Sequence, residues 1–283
     1  MGLFDIFKKK TEIENPNDKK LEIYADKINF KLLFKEKPIL NSSEILKEVK
    51  KYYNVVDNLT DDENVKIYAF PDLKIELADA VIPAQCLMTL LDKNIELPEN
   101  AFQQNWHWNE ANETAKNCNY QLLVTDFMSI PLAYKDRTEL IMSFLLAVTK
   151  STNPDAIYSE SGQKIIKPAD LIKNWDCDEK QFLYGLSNVR LYNIGDSEKK
   201  EVLMDTVGLN YIGLPDFQIV FSNYDVNQIA NFLTTYSYYI YENGDVIKSG
   251  NTIDGLKPNS MWKIDRQLSA IDGQSVVLNV RTE

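Results

Sequence analysis

Residues 205–221, DTVGLNYIGLPDFQIVF, would read as one long strand were it not for Gly208, Gly213 and Pro215. Glycine weakens a strand interior and proline cannot donate to a sheet ladder, so the stretch divides into a strand, an irregular break and a second strand, DFQIVF. A helix follows, opening at Asp225 and running to about Glu242, with Ile229, Phe232, Leu233, Tyr236 and Ile240 on one face. Strands and helices in this order point to an α+β fold with mixed or antiparallel sheets.

The same grammar extends in both directions. Upstream, KINFKLLF reads as a strand and NSSEILKEVKKYY as a helix, with Asn41 and Glu44 at the capping-box spacing. VKIYAF and LKIELADAVI read as two strands around a Pro71–Asp72 turn, followed by a helix over 101–118 and the strand YQLLVTDF. That is the order β-α-β-β-α-β, which makes a ferredoxin-like unit the expectation for the first half. DRTELIMSFLLAVTK is apolar nearly all round, as a helix covered on both sides would be, and Asp136 and Glu139 stand at capping-box spacing. Downstream, DVIKSGNTIDG reads as a hairpin around Gly250, and SVVLNVRTE as the strand that closes the sheet. The expected organisation is a short appendage and linker over residues 1–20, a first α+β half over 21–152 and a second over 153–283, the two halves forming either one continuous domain or two.

Composition limits the function. The chain has 283 residues and a formal net charge of −11, which disfavours nucleic acid, because holding a phosphate backbone needs a basic face, and suits a basic protein partner. No apolar run reaches the roughly 18–20 residues of a membrane span, and no secretory signal is legible, so a cytoplasmic protein is expected. Cys86, Cys118 and Cys177 lack metal or disulfide spacing and read as reduced thiols. In MGLFDIFKKK, residues 1–10, Ile6 stands where a myristoylation motif wants Ser or Thr; a weak membrane-surface contact through this amphipathic stretch is one alternative.

The chain's single histidine, His107, lies in QNWHWNEANETAKNCNY, between Trp106 and Trp108. Wound as a helix, the segment puts Trp108, Ala111, Ala115 and Cys118 on one face and Trp106 nearly opposite. A catalytic histidine needs a nucleophile or an orienting carboxylate, and no local motif supplies one, so His107 is read as structural. YSESGQ around Ser159 and Ser161 is not a nucleophile elbow, and SGNTIDG lacks the spacing of a phosphate loop. Asp205, Asp216 and Asp225 have no metal-binding spacing. No catalytic, cofactor or metal residue is therefore assigned. Tyr238 and Tyr241 project from the side of the 225–242 helix opposite its apolar face, and with Trp106 they are the candidate partner-binding residues, since exposed aromatics favour interfaces. The competing reading is that another layer of the same chain covers them.

Together, DTVGLNYIGLPDFQIVF, ADAVIPA at 78–84, NWHWNEA at 105–111, GNTIDG at 250–255 and Trp262 give a pattern, over about residues 65–280, that resembles the bacterial family catalogued as domain of unknown function 4261. The resemblance implies no established reaction, cofactor or catalytic residue; it implies a place among candidate immunity proteins encoded beside secreted toxins. The leading expectation is a non-enzymatic immunity protein that binds a toxin directly. The alternatives are an enzyme using scattered carboxylates and His107, and a membrane-surface adaptor.

Overall fold

The computed structural model describes residues 21–60, 62–91, 96–175, 181–195 and 200–282. The first sheet has the order β2 (Asp57–Asn58), β3 (Val65–Glu76), β4 (Val81–Leu91), β5 (Tyr120–Thr125), β1 (Asn29–Phe34), β6 (Ala156–Ser159) and β7 (Lys164–Ile166). The second runs β11 (Thr252–Asp254), β12 (Met261–Leu268), β13 (Val276–Arg281), β10 (Asp216–Phe221), β9 (Val202–Val207) and β8 (Asn188–Asn193). The fold is α+β, as the sequence implies.

Two expectations about pairing change. The first half has the β-α-β-β-α-β order, but β1 pairs antiparallel with β5 and β6 and not with β4, so this is an antiparallel meander rather than a ferredoxin-like unit. β6 and β7, at residues 156–166, extend the first sheet. β13 does not close the second sheet; it lies between β12 and β10, parallel to β10, where its VVLNV run is buried almost throughout. Sequence shows a strand's burial but not its neighbours.

The turn expected at Pro71–Asp72 lies instead at Leu77–Ala80, where the Leu77 amide donates to the Ala80 carbonyl at 2.8 Å. β3 runs straight through Pro71 because the register is interrupted there: Phe70 faces Ala84 and Lys74 faces Pro83, leaving residues 71–73 bulged out of the ladder. A proline costs no hydrogen bond at a bulge. The expected Gly250 hairpin is likewise a coil leading into the three-residue β11, which pairs with β12.

α1 (Ser42–Val49) is capped as expected, the Asn41 side chain accepting from the amides of Ser43 and Glu44. α4 (Tyr134–Thr152) is buried from Leu140 to Val148 and packs against α1 and α5 (Pro168–Trp175). It begins earlier than Asp136, with Ala133 at the cap position and no side-chain cap, so the expected Asp136–Glu139 capping box does not form. α6 (Val226–Asn243) opens on Asp225, whose carboxylate accepts from the Gln228 amide at 3.0 Å, and packs on β8, β9 and β10. One apolar core runs from Phe30 and Phe70 on the first sheet, through Phe144 on α4, to Phe217 and Trp262 on the second. A smaller cluster lies on the other face of the first sheet, where Leu33, Tyr158 and Ile165 meet α2 (Asn100–Gln103) and α3 (Ala111–Lys116).

Gly208 explains the break in the opening stretch. Its φ of +122° leads β9 into a 3-10 turn at Leu209–Ile212, and a Cβ there would stand 2.1 Å from the Leu186 carbonyl oxygen. Only glycine allows both the conformation and the approach.

Candidate functional site

The tryptophan–histidine segment is not one helix. α2 stops at Gln103, Gln104 leaves helical geometry with φ −122° and ψ 36°, and Trp106, His107 and Trp108 occupy the turn before α3. Local competition for the backbone ends the helix: the Asn105 side-chain amide donates to the Ala101 carbonyl, and the Asn112 amide donates to the Phe102 carbonyl at 2.8 Å.

The turn's polar side chains bond the edges of both sheets. On β7, the outer strand of the first sheet, Asn105 Oδ1 accepts from the Ile165 amide at 2.8 Å and His107 Nε2 lies 2.9 Å from the Ile165 carbonyl. On β8, the outer strand of the second, Gln104 Nε2 donates to the Leu191 carbonyl and Gln104 Oε1 accepts from the Leu191 amide, both at 3.1 Å. Residues 104–107 therefore place side-chain amides and an imidazole where a further strand would pair. Unpaired edge groups invite pairing with another chain, and covering them removes that liability.

His107 accordingly has a structural role. To meet the Ile165 carbonyl, its Nε2 must carry the proton. One side of the ring is exposed; partial desolvation of the other side, then the nearby Lys164 charge, lower its pKa. Trp108 sits half-buried against Ala101, Ala111, Ala115 and Cys118, in the company the sequence gives it although not on a helix. Trp106 is 47% exposed, and its Nε1 donates to Gln104 Oε1 at 3.0 Å.

Tyr238 and Tyr241 do not form an outer pair. Tyr241 is 2% exposed, stacked on Phe182 at 5.4 Å and edge-on to Tyr134 at 5.8 Å, while the Tyr134 hydroxyl donates to its carbonyl at 2.8 Å. Tyr238 is half-buried and packs on the main core. The start of α4 and the segment after α5 cover this side of α6, so the chain supplies its own outer layer. Of the three candidate residues only Trp106 stays exposed, and nothing in the fold joins it to Tyr238 in one patch.

The aspartates a metal or acid–base site would need are engaged in the fold. Asp205 pairs with Arg190, whose Nε donates to Oδ1 at 3.0 Å. Asp216 accepts from the Thr206 hydroxyl at 2.9 Å, the Leu209 amide at 3.2 Å and the Asn210 side chain at 2.9 Å, fixing the turn after Gly208. Among the described residues no group of three or more His, Cys, Asp or Glu is placed to hold a metal ion. Cys86 and Cys118 are buried free thiols whose pKa burial raises; Cys177 lies outside the described residues, as do residues 1–10. No described helix is long and apolar enough to cross a membrane.

One apolar presentation that the sequence reading missed is the β5–α4 loop, DFMSIP, at 126–131. Phe127 is 36% exposed, Met128 45% and Ile130 39%, although they alternate with residues that are wholly buried. Asp126 holds the loop's start, pairing with Arg137 and accepting from the Ile28 amide at 2.8 Å. Arg137 also donates to the Tyr211 carbonyl at 2.9 Å and to the Asp26 carbonyl, so the anchor reaches the second sheet's turn. Ser129 holds the middle, its hydroxyl donating to the Gln85 carbonyl at 2.8 Å and accepting from the Gln85 amide at 3.2 Å. Between the anchors Met128 has a φ of +51°, uncommon for a residue with a Cβ. Two buried polar anchors thus keep three apolar side chains turned to solvent. Farther along the β3–β4 hairpin, about 13 Å from Gln85 at strand rise, Val81 (61% exposed) and Leu77 (46%) stand with exposed Asp72, Glu76 and Asp79. The sequence signal was available: apolar residues interleaved with Asp126, Ser129 and Pro131, in a turn.

No curated protein and no solved structure matches the chain. The resemblance read over residues 65–280 is matched in its C-terminal part: residues 205–281, from Asp205 on β9 to the end of β13, match the family described as Domain of unknown function (DUF4261).

Proposed function

We propose that the protein acts without catalysis, by binding another protein through the anchored loop at Phe127, Met128 and Ile130, and that its partner is a basic secreted toxin that it neutralises inside the cell. The observation that carries the reading is the loop itself, in which the buried Asp126 and Ser129 fix a backbone that holds three large apolar side chains outward. A surface ordered before binding loses little entropy on docking, and anchors of this kind dominate interface energies. The net charge of −11 and the acidic side chains on the β3–β4 hairpin favour a basic partner. The engagement of His107, Asp205 and Asp216 in hydrogen bonds within the fold favours binding over the rival enzymatic reading. The test is co-expression with the product of the adjacent gene: the two co-purify at low salt and separate as salt rises, and failure to co-purify at micromolar concentration contradicts the proposal.

A further inference from the structure

Met128 holds a backbone conformation that its residue type disfavours. The β5–α4 loop is two tight turns in succession: the Ser129 amide donates to the Asp126 carbonyl at 3.3 Å, and the Leu132 amide to the Ser129 carbonyl at 3.1 Å. Phe127 and Met128 are the central pair of the first turn, Ile130 and Pro131 of the second. In the first, only Met128 has a positive φ, +51°, which is the pattern of a type II turn, whose third residue is ordinarily glycine or asparagine. The other described residues with a side chain and a positive φ are Asn153, Gln163, Lys200, Asn223 and Asn259, all of them polar. Met128 is the one apolar side chain held there, and at 45% exposed it gains little burial within the fold to offset the strain. Such strain persists where the surroundings over-determine the backbone, as the buried Asp126 and Ser129 do here, and it gathers where a side chain is put to use on a ligand.

Resting on the reading of this loop as the binding surface, we infer that Met128 is its specificity-determining residue, inserting its side chain into an apolar pocket of a basic protein partner. Glycine at this position would relax the turn, and what it would remove is the side chain. An unbranched thioether enters a narrow pocket and adapts to its walls, while Phe127 and Ile130 on either side supply apolar contact around the entrance. The net charge of −11 favours cations around that pocket over an anionic surface.

The test is a series at this one position in the full-length protein, each variant melted and titrated with the product of the adjacent gene. Met128→Gly relieves the backbone and removes the side chain, Met128→Gln keeps the length but ends in an amide, and Met128→Leu keeps the apolar bulk. The glycine variant is expected to melt within about 4 °C of wild type or above it. Glycine and glutamine are each expected to weaken binding at least about tenfold, whereas leucine stays within about threefold of wild type. Wild-type affinity in the glycine or glutamine variant overturns the inference and leaves the loop reading standing. A glycine variant that melts far below wild type overturns it too, by assigning the side chain to the fold. A wild-type protein that does not bind overturns the loop reading and this inference together. Sedimentation of the wild type with phosphatidylglycerol vesicles, abolished by Met128→Gly, would assign the side chain to a lipid surface and so overturn the protein pocket.

Discussion

The side-chain amide of Gln104 makes both hydrogen bonds to Leu191 that a neighbouring strand would make, donating to its carbonyl and accepting from its amide at 3.1 Å each. A glutamine beyond the end of a four-residue helix thus completes the edge of the second sheet, while its neighbours Asn105 and His107 do the same for Ile165 on the first. The edges of the two sheets are stitched by three side chains of one turn, Gln104, Asn105 and His107.

Replacing Gln104 by Ala leaves a part-buried amide and carbonyl of Leu191 without these partners, at a cost of about 1–3 kcal/mol. Hydrogen exchange at the Leu191 amide is expected to accelerate along with the fall in melting temperature. His107→Ala loses one hydrogen bond from a half-open ring and costs only about 1 kcal/mol. A histidine variant as damaging as the glutamine one would contradict this division of roles.

This arrangement shows where sequence stops being informative. The break at Gly208, the capped starts of α1 and α6, and the buried α4 were legible because each depends on residues close in the chain. The partners of β1, the place of β13 beside β10 and the use of Gln104 depend on residues far apart in the chain and on which strand arrives beside which, and no local pattern encodes that. Tyr241 had two readings, an interface or cover by the same chain, for the same reason: a helical wheel shows which side faces away from one sheet, not that Phe182 and Tyr134 cover it from the other.

Tyr241→Ala should therefore behave as a core truncation, costing about 3–5 kcal/mol, whereas Trp106→Ala at its exposed position should cost under about 1 kcal/mol. Thermal melts of the two variants check this, and equal losses would contradict the burial assigned to them.

Gly208→Ala should be among the most damaging single changes, because alanine is strained at a φ of +122° and its methyl group meets the Leu186 carbonyl oxygen. Strain and backbone displacement together predict a loss of several kcal/mol, on the order of 3 or more. A variant that melts near the wild type would show that the turn can re-form without glycine.

The buried Lys164 makes stability depend on pH with a definite sign. Its pKa is about 7 when folded and returns to about 10.4 when unfolded. Below about 7 both states are protonated and the cost of burying the cation is fully present; as pH rises toward about 10 the folded state has released its proton, the unfolded state binds more, and this cost falls away. Lys164→Met should thus be the more stable protein at neutral pH, by on the order of a few kcal/mol, and the gap from wild type should narrow by about pH 9. Urea denaturation of both proteins at the two pH values measures it, and a gap that does not change with pH would contradict the buried-amine account.

The central claim, that the protein works by binding through the loop held between Asp126 and Ser129, is tested most directly by calorimetric titration of the adjacent gene's product into wild type and into the triple variant Phe127→Ser, Met128→Ser and Ile130→Ser. Removing three solvent-facing apolar anchors while leaving Asp126 and Ser129 in place is expected to weaken binding by at least about a hundredfold, with a melting temperature within about 3 °C of wild type. Undiminished affinity in a folded triple variant would contradict the claim.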